Sequence, residues 1–190
     1  MLVEIMNVIV MYAVPFLLAF AAVMDIMYRR IPNKVVLALF VLFFPTAWMI
    51  GMGWEQFLTH LAVFAVFLLV GFLLFLPGWF GSGDGKLLAV CGLWLGWPQA
   101  LEFVIMTILL GGAYAVVKIV ADRVLFEGGI WFPRLTEGRL GRILFGRENS
   151  LPYGVPLAAG ILAILPLSMW ARALLLDGNA QRAMQLMSSG

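Results

Sequence analysis

Asp25 and Asp84 are the residues of this 190-residue chain best placed to do chemistry. Asp25 directly follows residues 5–24, a stretch free of Asp, Glu, Lys and Arg, and Asp84 stands three residues before the charge-free residues 87–97. Acids at the edge of apolar segments are expensive to keep there and are usually functional or paired. Two carboxyls sharing one cavity split their titration, so that one is protonated while the other is ionised. That pairing suits peptide hydrolysis: the ionised Asp activates a water, and the protonated one donates to the scissile carbonyl. Such chemistry requires no thiol, imidazole or metal. With Cys91 and His60 the only Cys and His, a zinc site is not expected, and no metal or cofactor is assigned. Plainer readings stand beside this one. Asp25 and Arg29 have the i,i+4 spacing of a surface ion pair, and Asp84 next to Lys86 could be a simple turn acid.

Three glycines sharpen the case. Gly81, Gly83 and Gly85 alternate around Ser82 and Asp84. Glycine permits unusual backbone angles and close approach, and a protease must hold its substrate extended, often by main-chain pairing. A bare backbone strip beside an acid would serve that purpose; a flexible turn is the alternative. Gly92 and Gly96 form a Gly-x-x-x-Gly pair that reads as helix packing.

The elements that must position these residues follow from composition. The chain is 64% hydrophobic and 12% charged, against about 45–50% and 25% in soluble domains. A soluble globule of this size could not hide that much apolar surface, and a net charge of +2 gives no argument for nucleic acid. The expected fold is all-α: a polytopic membrane protein of six transmembrane helices over residues 5–24, 35–52, 57–76, 87–97, 103–117 and 155–170, the fourth too short to span unaided. Pro15, Pro45 and Pro166 fall inside these spans. Residues 1–171 are expected to form one membrane-embedded domain, and residues 172–190 an external tail. The apolar loop 77–86 is expected to be recessed into the membrane, which would let the fourth helix start inside it. Small residues near Ala19–Ala21 resemble a signal-peptide cleavage site, but Glu4 precedes them and Arg29, Arg30 and Lys34 follow, so a retained first span is expected.

Charge sets the orientation. Arg29, Arg30, Lys34, Lys86, Lys118, Arg123, Arg134, Arg139, Arg142 and Arg147 fall on one side of the six spans, and only Arg172 and Arg182 on the other. The positive-inside rule places the larger group in the cytoplasm and both termini outside. Asp25 and Asp84 are then both at the cytoplasmic edge, Glu55 and Glu102 are on the outer side, and Asp122 lies in a mixed-charge, solvated stretch.

Gly81-Ser82-Gly83-Asp84 resembles the Gly-x-Gly-Asp signature of intramembrane aspartyl proteases. Asp25 followed by Ile31-Pro32-Asn33, together with Gly83-Asp84-Gly85-Lys86-Leu87, resembles the two motifs of the type IV prepilin peptidases. Leu151-Pro152-Tyr153-Gly154-Val155-Pro156 is similar to that family's C-terminal pattern, so the resemblance covers roughly residues 5–170. Presenilin-like relatives place Tyr before the first Asp, where this chain has Met24. The resemblance implies a membrane aspartyl endopeptidase whose catalytic pair is Asp25 and Asp84. It would cleave short leader peptides from prepilin-like protein substrates at the cytoplasmic face of the inner membrane. The larger members carry a cytoplasmic insert with paired Cys-x-x-Cys motifs and also N-methylate their product. This chain lacks that insert and looks like the short Tad/Flp-type or preflagellin enzymes, so N-methylation is not expected.

The remaining assignments are simpler. Ile31-Pro32-Asn33 reads as a sharp turn with Asn33 helping to cap the next helix. Gly81, Gly83, Gly85 and Tyr153 are the candidate substrate contacts, with interfacial anchoring the alternative for Tyr153. Trp48, Trp54, Trp94, Trp97 and Trp170 read as an outer aromatic belt, and His60 and Cys91 as packing residues. Two other functions use the same acids differently: a small transporter or proton channel with Asp25 and Asp84 as relay groups, and a non-catalytic pilus assembly scaffold. A transporter would carry polar groups along a mid-membrane path, whereas both acids here fall at one edge.

Overall fold

The computed structural model describes residues 2–123, 153–168 and 170. Arg134, Arg139, Arg142 and Arg147 of the basic segment, Leu151, Pro152, and the tail from 172 with Arg172 and Arg182 lie outside the described residues.

Among the described residues there are six α-helices and no strand: α1 Leu2–Tyr28, α2 Asn33–Met49, α3 Trp54–Phe75, α4 Ser82–Leu95, α5 Gln99–Asp122 and α6 Gly154–Ile164, the last followed by a 3₁₀ turn at Leu165–Leu167. α3 and α5 are each long and apolar enough to cross a membrane. At 1.5 Å per residue, the 22 residues of α3 reach about 33 Å, slightly more than a hydrocarbon core of about 30 Å. α4, with 14 residues, reaches only about 21 Å.

Local chemistry explains the helix ends. α1 runs through Asp25 and stops where Arg29 takes φ 52°, a left-handed conformation costly for a residue with a Cβ. Pro32 then disfavours helical backbone at Ile31 and opens α2 from an extended N-cap. Asn33 is the first residue of α2 rather than its cap, and its side chain turns to Lys86 instead. α4 begins at Ser82, so the second half of the expected loop is helical. The reason is Asp84: its Oδ2 accepts the Gly81 backbone N–H at 3.0 Å, satisfying a donor that a helix start leaves open. Pro166 lies in the 3₁₀ turn that ends α6 rather than inside a span, because proline lacks the N–H an α-helix would need there.

The core gathers around α4, which is buried almost throughout and packs most extensively against α3. Leu39, Phe43, Leu87, Leu93, Trp94, Phe103, Leu157 and Ile161 are fully buried. Trp94 and Trp170 belong to this core, not to the aromatic belt. The Trp94 indole N–H donates to the Leu39 carbonyl at 2.9 Å, and that of Trp170 donates to the Trp94 carbonyl. A buried indole is tolerated when its one donor is satisfied. Trp48, Trp54 and Trp97 are exposed, as a belt requires. His60 and Cys91 are both buried packing residues, with His60 Nδ1 2.7 Å from the Leu93 carbonyl oxygen. The outward faces of α3 and α5 are apolar and exposed, with Leu69, Phe72 and Leu73 on one and Ile108, Leu109 and Val116 on the other.

Glycines set the closest helix approaches. A Cβ at Gly71 of α3 would lie 2.6 Å from the Gly85 Cα of α4, so the two backbones touch. A Cβ at Gly92 would lie 2.6 Å from the Phe67 ring, which makes Gly92 a packing residue. Because Gly71 near the end of α3 meets Gly85 near the start of α4, while His60 meets Leu93, the two helices are antiparallel. α5 and α6 are antiparallel too, with Gly111 beside Pro156 and Gly160 beside Phe103. These pairings bring the end of α1 and the starts of α2, α4 and α6 to one end of the bundle.

Candidate active site

Asp25 and Asp84 sit at that common end, and both are buried, with 5% and 8% of their surface exposed. Each is seated on the N-terminus of a helix. Asp84 is in the first turn of α4 and holds the Gly81 amide. Asp25 comes from the last turn of α1 and accepts the Gly154 N–H of α6 on Oδ2 at 2.8 Å. Helix N-termini expose unpaired N–H donors and a partial positive charge, and both favour a carboxylate. The charge of Asp25 acts on Asp84, and that of Arg29 acts on Asp25. The two acids therefore belong to one electrostatic site.

The flanking residues interlock the two motifs. A Cβ at Gly83 would lie 3.0 Å from the Cβ of Ile31, so the Asp84 segment is pressed directly on the turn that follows Asp25. One step outward, Lys86 Nζ donates to Asn33 Oδ1 at 3.1 Å. The sequence separates these segments, and the fold joins them at these two contacts.

The three candidate substrate glycines have different environments. Gly81 is extended, with φ −71° and ψ 153°, and is exposed. Gly83 and Gly85 are helical, and their missing side chains are taken up by contacts with Ile31 and Gly71. Gly81 alone is extended, but its N–H is held by Asp84 Oδ2 and its carbonyl accepts the Asp84 and Gly85 amides, so the free strip expected to pair with a substrate is not present at Gly81. Tyr153 is the N-cap residue of α6, next to the Asp25-bound Gly154, and its ring packs on Phe80 with centroids 4.9 Å apart. Phe80 and Tyr153 line one end of an apolar cavity of about 570 Å³ between α3, α5 and α6, with Phe67, Ile108 and Pro156 further along.

Gly154, Phe80 and Gly71 are not among the site residues expected from the sequence. The signal for Gly154 was present in Tyr153-Gly154-Val155-Pro156, where a glycine opens a helix, but its partner stands 129 positions away. A Cβ on Gly154 would lie 2.8 Å from Asp25 Oδ2. Among the described residues, no three His, Cys, Asp or Glu side chains converge as a metal site would need.

Comparison with known proteins bears on the same residues. Over 75 residues the chain is 36% identical to the prepilin leader peptidase/N-methyltransferase of Burkholderia pseudomallei strain 1026b, and equally to that of strain K96243. That alignment takes in 39% of this chain and 24% of each relative, so the chain matches about a quarter of their length. No solved structure matches. Residues 12–116 match the type IV leader peptidase family, and the matched stretch contains both acids, the turn after Asp25 and all of α2, α3 and α4. With more than half of its length matched in this way, the chain belongs to the type IV leader peptidase family.

Proposed function

We propose that this chain is an aspartic endopeptidase that removes the short leader from prepilin-like, Flp-type substrates at the cytoplasmic face of the inner membrane, with Asp25 and Asp84 as its catalytic pair. The observation that carries this reading is the seating of both acids, buried at one end of the bundle, on the N-termini of α4 and α6. The ionised carboxylate of the pair takes a proton from water as the water oxygen attacks the scissile carbonyl. The protonated one donates to the carbonyl oxygen as the tetrahedral centre forms. The C–N bond then breaks as the amine takes a proton, leaving one new carboxyl and one new amine and returning the pair to its starting state. The apolar cavity beyond Tyr153 and Phe80 supports a substrate that continues as a hydrophobic helix in the bilayer. Both termini lie outside in this reading, residues 1–171 form the peptidase domain, and the product is not methylated.

The test is co-expression with a prepilin carrying a basic leader, followed by N-terminal sequencing and mass measurement of the product. The expected product is a cleaved chain with a free amine. Uncleaved substrate in the presence of well-inserted enzyme would leave the transporter or scaffold reading. A product heavier by one methyl group would overturn the statement on methylation alone.

A further inference from the structure

A second groove lies on the opposite side of α4 from the cavity beside Tyr153, between α2, α3 and α4. It encloses about 430 Å³. Its lining separates by chemistry. Lys34 and Lys86 stand at the end of the bundle that carries the acids, and Leu37, Phe40, Phe64 and Leu68 line the remainder. No acid is among its lining residues. From Asn33 to Phe40 the groove follows α2 for about 10 Å along the helix axis. The Phe40 and Phe64 rings, with centroids 5.2 Å apart, close it there. α2 and α3 flank it with exposed apolar surface, including Leu37 and Leu69, so in a bilayer the groove opens sideways to lipid.

We propose that this groove seats one anionic phospholipid, its phosphate between Lys34 and Lys86 and an acyl chain along Leu37, Phe40, Phe64 and Leu68. Charge complementarity selects the occupant. Two ammonium groups at headgroup level above an apolar slot match an anionic headgroup joined to a hydrocarbon tail, and basic pockets between membrane helices take such lipids. A zwitterionic lipid fits the slot equally well but presents its own cation to the lysines. A soluble anion meets the lysines but leaves the apolar slot uncovered. The seat does not depend on the peptidase reading, because it uses neither Asp25 nor Asp84.

Native mass spectrometry of the full chain released from detergent tests this directly. The protein is equilibrated with equal amounts of dioleoyl phosphatidylglycerol and dioleoyl phosphatidylcholine. One phosphatidylglycerol should be retained in preference to phosphatidylcholine, and glycerol phosphate added in excess should not displace it. Lys34→Glu should lower that retention by about fivefold or more, on the scale of one lysine at an anionic surface. Leu37→Trp, which fills the slot and leaves both lysines, should lower it as well. Lys118→Glu makes the same change of net charge outside the groove and should leave retention at the wild-type level. Leu37 is exposed and Lys34 is on the surface, so neither variant disturbs the core. Equal retention of the two lipids, displacement by glycerol phosphate, or equal losses in Lys34→Glu and Lys118→Glu would each overturn the proposal.

Discussion

The amide of Gly154 donates to the Asp25 carboxylate at 2.8 Å, and it does so from a position where no side chain fits. The start of α6 is thus built against the first acid. A methyl group at 154 would occupy space held by Asp25 Oδ2. The carboxylate would then have to rotate or α6 would have to withdraw. Gly154→Ala should reduce leader cleavage by on the order of 100-fold, the penalty for moving a reacting group by about 1 Å. Cleavage measured in membranes with matched expression checks this. Wild-type rates in Gly154→Ala would mean that the contact does not position Asp25.

If Asp25 and Asp84 act as one unit, neither tolerates its neutral amide. Asp25→Asn and Asp84→Asn should each abolish cleavage while the protein remains inserted, and the double variant should be no worse than either single one. Arg29→Ala, which removes the cation acting on Asp25, should be much milder. The measurement is a cleavage time course for all four variants. Near-normal cleavage by Asp84→Asn would remove the peptidase assignment.

The Lys86–Asn33 hydrogen bond joins the two acid-bearing segments at an exposed site. Hydrogen bonds of this kind contribute about 0.5–1.5 kcal/mol net. Asn33→Ala should therefore slow cleavage by less than about tenfold, with unfolding in detergent shifted only slightly. A complete loss of cleavage in Asn33→Ala would give Asn33 a direct part in the chemistry.

Orientation can be read with reporter fusions. The acid-bearing end also carries Arg29, Arg30, Lys34 and Lys86, and the positive-inside rule puts such an end in the cytoplasm. A reporter fused near Gly138 should be cytoplasmic, and one fused after Arg172 should be external. The reverse pattern would place the acids on the outer face and exclude leader removal before export.

Chelation gives an independent check on the chemistry. Cleavage should persist in strong chelators and in Cys91→Ala, where the fully buried thiol is replaced by a smaller apolar group. Simultaneous loss of a bound metal and of cleavage on chelation would require a mechanism outside the two carboxylates.

The two acids and their motifs were legible because charge is rare in so apolar a chain, and each charged residue therefore stands out. The start of α4 was not legible. Gly81, Gly83 and Gly85 have poor helix propensity, and only the contact of Asp84 with the Gly81 amide and the packing on Ile31 and Gly71 override it. The places of Trp94 and Trp170 were hidden for a different reason. Sequence position near a helix end suits an interfacial indole, whereas the fold supplies backbone carbonyls to their N–H groups inside the core. The Gly154–Asp25 bond could not be foreseen from spacing, since nothing local to either residue specifies the other.

Gly71 carries no functional group and lies in α3, which has no charged residue after its first turn. Yet it is in backbone contact with Gly85, whose neighbour is Asp84. Its smallness acts as a gauge block that sets how far the second acid stands from α3. Scanning mutagenesis scored only by loss of cleavage would rank position 71 with the two aspartates. Scored by dose of substrate or by temperature, it would separate from them, because a misplaced dyad keeps its two carboxyl groups and a substituted one does not.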